Sequence, residues 1–274
     1  MQYIAYHFTV APLQPGTEIL MAELSQLNFE SFEEHPNGIS AFVQEELAPT
    51  KLDSIQILKN PNFEIKWEIE KIEQINWNEE WEKNFHPIEI DKLVYIRAPF
   101  HSSKKGFKHE LIIEPKMSFG TGHHETTHQM IQLIFEEDCK NKQVLDMGCG
   151  TGVLGIVANL NQAQKVDYID IDDWCVENTT ENLERNNCKG NVFLGGAEQI
   201  SNTYQLILAN INRNVLIADL PTYTKHLSQN GTLLLSGFYE EDLDIIKKQC
   251  QNNGLQYVKH TQKKKWVACK FVKA

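Results

Sequence analysis

The chain is expected to be an α/β protein, a doubly wound and mostly parallel sheet preceded by a small α+β domain. Three observations carry this expectation. Residues 144–147, Val-Leu-Asp-Met, read as a mainly apolar strand that enters the turn Gly148-Cys149-Gly150-Thr151-Gly152, and a second apolar strand ends at Asp170, 22 residues past Gly148. Between them, Val153 to Leu160 has helical composition, which makes the unit strand, helix, strand. Beyond Asp170, helical and strand-like segments alternate to the end of the chain, as a doubly wound sheet requires.

Taken in order, Ile4, Tyr6, Phe8 and Val10 alternate with small or polar residues and predict a strand. Thr17 then predicts the cap of a helix with Leu20, Leu24 and Leu27 on one face. A strand from Phe29, the turn His35-Pro36-Asn37-Gly38 and a strand from Ile39 to Val43 predict a hairpin. A second helix is expected over Pro49 to Leu58. Phe63, Ile65, Trp67 and Ile69 alternate with charged residues in a further strand. The order βαββαβ predicts a ferredoxin-like sandwich over residues 1–72. Trp77 and Trp81, one helical turn apart, predict a linker helix over 76–85. The second domain, 73–274, then has strands near 93–98 and 110–114 before the glycine turn. After Asp170 come helix 173–187, strands 191–194 and 205–210, helix 213–227, strand 231–236, helix 239–252 and two final strands.

The chain has 274 residues and a net charge of −11, and its one run of bases is Lys263-Lys264-Lys265. Nucleic acid is therefore not expected as a direct partner, and a basic protein is. Residues 1–72 hold 4 lysines against 11 acids, so the negative excess is concentrated in the first domain, read as a recognition module. The six cysteines have no C-x-x-C pairing and are expected to be free thiols of a reducing cytosol. No window reaches the length of a membrane span, and Met1-Gln2-Tyr3 opens no basic leader. The expectation is a soluble, cytoplasmic monomer.

The glycine turn fits two cofactor classes. Gly150, Gly152 and Gly155 match G-x-G-x-x-G, and Asp170 stands where a dinucleotide site needs an acid, so an NAD-dependent oxidoreductase is one reading. That reading leaves Asp146 and Gly148 unused. The longer string Asp146-x-Gly148-x-Gly150-x-Gly152 resembles class-one S-adenosylmethionine-dependent methyltransferases. Upstream, His124-Glu125-x-x-His128 matches the zinc-peptidase motif, but Gly120 and Gly122 just before it put His124 at or before the helix start. No metal is expected. Read as a loop, this segment places Thr126 and Thr127 in a first helical turn. Asn210 closes the strand Leu206 to Asn210, at an end where open α/β sheets bind ligands. It is followed by Ile211-Asn212-Arg213, so it does not resemble the glutamine- and adenine-modifying methyltransferases, which carry Pro-Pro-Tyr here against a planar amide or base, and a tetrahedral amine is the expected acceptor.

Phe119 to Thr127, Asp146 to Gly152, Asp170 to Asp172 and Ala209-Asn210-Ile211 together resemble the ribosomal protein L11 methyltransferase family, over nearly the whole chain. The resemblance implies a Rossmann-like methyltransferase sheet and S-adenosylmethionine as cofactor, held by Thr127, Gly148, Gly150, Gly152, Asp170 and Asn210. It implies Phe119, His124 and Asn210 at the reacting centre. It implies lysine or N-terminal amines of ribosomal protein L11 as the acceptor, with another protein or a small molecule as the alternative.

Overall fold

The computed structural model describes residues 2–49, 51–72, 84–116 and 118–274. The chain divides into two compact units, Met1–Asn84 and Phe85–Ala274. The predicted linker helix with Trp77 and Trp81 lies outside the described residues.

In the first unit, β1 (Tyr3–Ala11), α1 (Leu13–Leu24), β2 (Ser31–His35), β3 (Gly38–Gln44) and β4 (Glu64–Ile72) give a sheet of order β2-β3-β1-β4. All pairs are antiparallel, and Phe8 stands opposite Ile39 and Trp67. This is the sheet order of a ferredoxin-like sandwich. The pattern explains the layers: Tyr6, Phe8 and Val10 point to one side and join Leu20, Leu24, Ile39 and Ile55 in a core.

Two expectations fail here. Thr17 does not cap α1; the element starts at Leu13, is interrupted by an extended Gln14, and Thr17 Oγ1 donates back to the Leu13 carbonyl. The second helix is absent among the described residues of 49–58, where one 3₁₀ turn, Ile57–Lys59, ends a chain of tight turns. The reason is tertiary. The Glu23 carboxylate on α1 accepts from the Gln56 and Ile57 amides, and Leu52, Ile55 and Ile57 fill the core without a helical stripe. Once a side chain from another element satisfies the amides, an i to i+4 ladder has no advantage.

The second unit begins with a small sheet, β5 (Ile88–Ile90), β6 (Val94–Arg97) and β7 (His109–Ile112), in that order. The three residues of β5 are too few to show a period in sequence. The main sheet comprises β8 (Gln143–Met147), β9 (Lys165–Asp170), β10 (Asn191–Leu194), β11 (Tyr204–Asn210), β12 (Leu227–Tyr239), β13 (Leu255–Lys263) and β14 (Trp266–Lys273). Its order is β10-β9-β8-β11-β12-β14-β13. The first five strands are parallel, and β14 enters antiparallel between β12 and β13.

The helices are α2 (Glu125–Glu136), α3 (Val153–Leu160), α4 (Asp173–Arg185), α5 (Arg213–His226) and α6 (Leu243–Asn252). Val144, Val166, Leu206 and Leu208 face α2 and α3 in one core. Leu145, Ile169, Ile207 and Ala209 face α5 and α6 in the other. A strand covered on both faces needs apolar residues at every position, which is why Leu206-Ile207-Leu208-Ala209 runs without alternation. At Gly155 a Cβ would lie 2.2 Å from the Tyr168 ring, so the glycine is what lets α3 approach β9.

Candidate active site

Connections leave β8 toward β9 on one side and β11 on the other, so a crevice opens at the carboxyl ends of these strands. The tips are Met147, Asp170 and Asn210, and with the loops beyond them they line a cavity of about 550 Å³. That volume lies within the usual range for small-molecule sites.

The floor is the glycine turn after β8. Gly148, Gly150 and Gly152 all have positive φ, at 66°, 56° and 77°. At Gly150 a Cβ would stand 2.2 Å from the Phe119 carbonyl oxygen, and at Gly148 the same distance from Ile211 Cγ2. Glycine is required at both by conformation and by space together. The turn is held to β9 by the Gly148 and Cys149 amides, which donate to the Ile169 carbonyl. Gly152 caps α3, whose N-terminus thus faces the cavity end of the sheet.

Asp170 is buried, and its two oxygens accept from the Gly150 amide at 2.8 Å and the Asp172 amide at 3.1 Å. Each carboxylate oxygen retains acceptor capacity for a ligand hydroxyl. Beneath the turn, the buried Asp146 accepts from the Gly155 amide at 2.8 Å, and burial pushes its carboxyl up to about 7. Beyond Asp170, Ile171, Trp174 and Gly196 give the cavity an apolar end that suits a purine.

The opposite wall is the segment ahead of α2. His124 caps that helix with extended backbone, its Nδ1 accepting from the Thr126 amide at 3.3 Å. Phe119 and Trp266 meet the His124 ring edge to face at 5.3 and 4.6 Å. Asn210 completes the wall, and its Oδ1 is buried without a protein partner. A buried amide oxygen left unpaired is costly, so this atom is the place for a ligand donor.

The structure brings Phe119, His124, Gly148, Gly150, Asp170 and Asn210 together around one cavity. Thr127 and Gly152 are not on its wall. Thr127 is buried one residue behind Thr126, with its Oγ1 unpartnered. Gly152 packs against Thr179. Sequence reasoning missed Trp266, 142 positions past His124, and Ile171, Trp174 and Gly196; only the signal that Ile171 follows a strand-tip acid could have found any of them.

Among the described residues, His124, Glu125 and His128 are not a group whose ligand atoms lie within 4.8 Å of one another. His124 lies outside the helix and Glu125 pairs with Lys264. Among the described residues the one group with ligand atoms within 4.8 Å of each other is Asp170, Asp172 and Cys175. The six cysteines are free, and burial pushes Cys139 to about 11 and Cys250 and Cys269 to about 12. Such thiols are poor nucleophiles at neutral pH. Among the described residues no helix is long and apolar enough to cross a membrane.

A doubly wound sheet with an antiparallel seventh strand, a glycine turn of this form and a strand-tip acid define the S-adenosylmethionine-dependent methyltransferase class. Residues 16–274 match the family model described as ribosomal protein L11 methyltransferase (PrmA). Relatives named ribosomal protein L11 methyltransferase from Phocaeicola vulgatus and Porphyromonas gingivalis are 39% and 40% identical. They align over 99% of this chain and over 99% and 98% of their own lengths. The crystal structure of a ribosomal protein L11 methylase from Lactobacillus delbrueckii subsp. bulgaricus superposes with a TM-score of 0.64 at 24% identity. That match covers 68% of this chain and 98% of that one, and it shows the shared fold. The chain belongs to the ribosomal protein L11 methyltransferase family. The protein is a methyltransferase and its cofactor is S-adenosylmethionine, so hydride transfer is set aside.

Proposed function

We propose that the protein methylates amines of ribosomal protein L11, lysine side chains or the N-terminal amine, with residues 1–72 selecting that substrate. The observation that carries the chemistry is the unpartnered Asn210 Oδ1 at the cavity wall. An amine nitrogen has N–H groups to donate there, and an acceptor at that point aims its lone pair. Supporting the substrate are the names of the relatives above and the acidity of the first unit, which attracts a basic ribosomal protein.

The residues of this chain divide the work. Asp170 receives the ribose hydroxyls, and Gly148 and Gly150 leave room for the backbone to approach the cofactor, while Gly152 caps α3 and Thr127 supports the wall from behind Thr126. Phe119, His124 and Trp266 make an aromatic collar that excludes water from the acceptor. When bound, S-adenosylmethionine supplies a methyl group already activated on a sulfonium. No strong base is needed in the protein, because the ammonium loses its proton to water before the amine enters the collar.

The protein must instead favour the neutral amine. A free lysine near pKa 10.4 is neutral in about one molecule in 2,500 at pH 7, and an α-amine near 8 in roughly one in ten. The apolar collar lowers both values by desolvation. The test is transfer of label from S-adenosylmethionine to purified L11. Asn210→Ala should slow it roughly tenfold or more, the scale of one well-placed hydrogen bond to a nitrogen that gains positive charge as the methyl transfers. Unlabelled L11 would overturn the substrate, and an unimpaired Asn210→Ala enzyme would overturn the role of the amide.

A further inference from the structure

The loop Ser118 to His124 is seated on two sides. Toward the cofactor floor, Thr151 donates its amide to the Phe119 carbonyl at 3.0 Å and its hydroxyl to the Gly120 carbonyl at 2.7 Å. Away from it, Gly122 (φ 97°) sits so close to β5 and β6 that a Cβ would lie 2.9 Å from Ile88 and 2.8 Å from Ile96. His123 closes the second seat. Its Nε2 is 3.0 Å from the His86 carbonyl and its Nδ1 3.1 Å from Thr121 Oγ1. A carbonyl only accepts, so Nε2 carries a proton, and Nδ1 shares a hydrogen bond with the Thr121 hydroxyl. The same ring meets Phe85 edge to face at 4.6 Å. Phe85 is gripped from behind by His101, stacked on its ring and 2.6 Å from its carbonyl through Nε2.

Phe85 and His86 are the first residues of the second unit, where the chain arrives from the first. From the nucleoside acid to that point runs an unbroken series of bonds: Asp170 to Gly150, Thr151 to Phe119 and Gly120, Thr121 to His123, His123 to His86. We infer that His123 is a positioning residue that ties the cofactor loop to the entry of the chain from the recognition unit, so that cofactor binding and the state of that junction are energetically linked. This rests on the cofactor occupying the cavity beside Phe119. Linkage is reciprocal: a cofactor that orders the loop also orders Phe85 and His86, and release of the junction weakens the cofactor. A series of contacts alone does not establish coupling, so the test measures coupling itself.

Full-length wild type, His123→Ala and His123→Gln are titrated calorimetrically with S-adenosylhomocysteine, and amide exchange is followed with and without it. Gln keeps an N–H within reach of the His86 carbonyl. In the wild type the ligand should slow exchange both in residues 146–152 and in residues 85–92. In His123→Ala the protection of 146–152 should remain, that of 85–92 should vanish, and Kd should rise about three- to tenfold. His123→Gln should restore most of both. Equal protection of 85–92 in His123→Ala, no protection there in the wild type, or an unchanged Kd would overturn the linkage. Wild-type protein that does not bind the ligand at all would overturn the assignment of the cavity instead.

Discussion

The Asp170 carboxylate accepts the amide proton of Gly150 at 2.8 Å. The acid at the tip of β9 and the turn after β8 are therefore one rigid corner, and the group proposed to receive the cofactor ribose also holds the floor beneath it.

Removal of that carboxylate should cost affinity directly. Asp170→Ala is expected to weaken S-adenosylhomocysteine binding by about 2–3 kcal/mol, roughly 30- to 150-fold, the scale of charge-assisted hydrogen bonds. Asp170→Asn, which keeps an oxygen for the Gly150 amide, should lose less. Calorimetry that finds Asp170→Ala equal to the parent would remove Asp170 from the site.

Asp146 gives stability a pH dependence of defined sign. Its carboxyl titrates near 3.8 in the unfolded chain and, raised mainly by burial, at about 7 in the folded one. The folded state holds the extra proton between these values. The contribution is therefore complete below pH 3.8 and lost as pH rises through 7, on the order of 4 kcal/mol in all. Asp146→Asn cannot ionise, so its unfolding midpoint should gain on the wild type between pH 5 and pH 8. Parallel pH profiles for the two proteins would refute this account of Asp146.

The zinc-peptidase match should be chemically silent. His124 caps α2 from an extended conformation and Glu125 is engaged by Lys264. Treatment with a chelator followed by desalting is expected to leave methyl transfer unchanged. Activity that disappears and returns with added zinc would contradict the loop reading.

The division of labour between the units can be separated by truncation. The second unit has its own two cores, so a chain beginning at Glu73 should bind S-adenosylhomocysteine with the parent affinity. It should fail to methylate L11 at concentrations where the full chain is active, because residues 1–72 carry the acidic surface. Undiminished methylation by the short form would leave the first unit without the recognition role.

Apart from β5, the order of strands and helices in the second unit was readable in the chain because each has a local cause. Strands buried on both faces read as continuous apolar runs, and Gly148, Gly150 and Gly152 mark backbone that side chains would strain. Asp170 and Asn210 were legible for the same reason, since a polar residue ending an apolar strand stands at the crevice whatever its neighbours do. The second helix of the first unit was misread because its amides are satisfied by Glu23, about thirty residues away. Nothing in residues 49–58 records that carboxylate. Trp266 against His124, the unpartnered Asn210 oxygen and the grip of His123 on His86 were likewise decided by tertiary structure. Sequence by itself determined which residues stand at the strand tips and what chemistry they offer. Only the folded chain decided which of them meet, because contacts between distant segments depend on distances that no local pattern encodes.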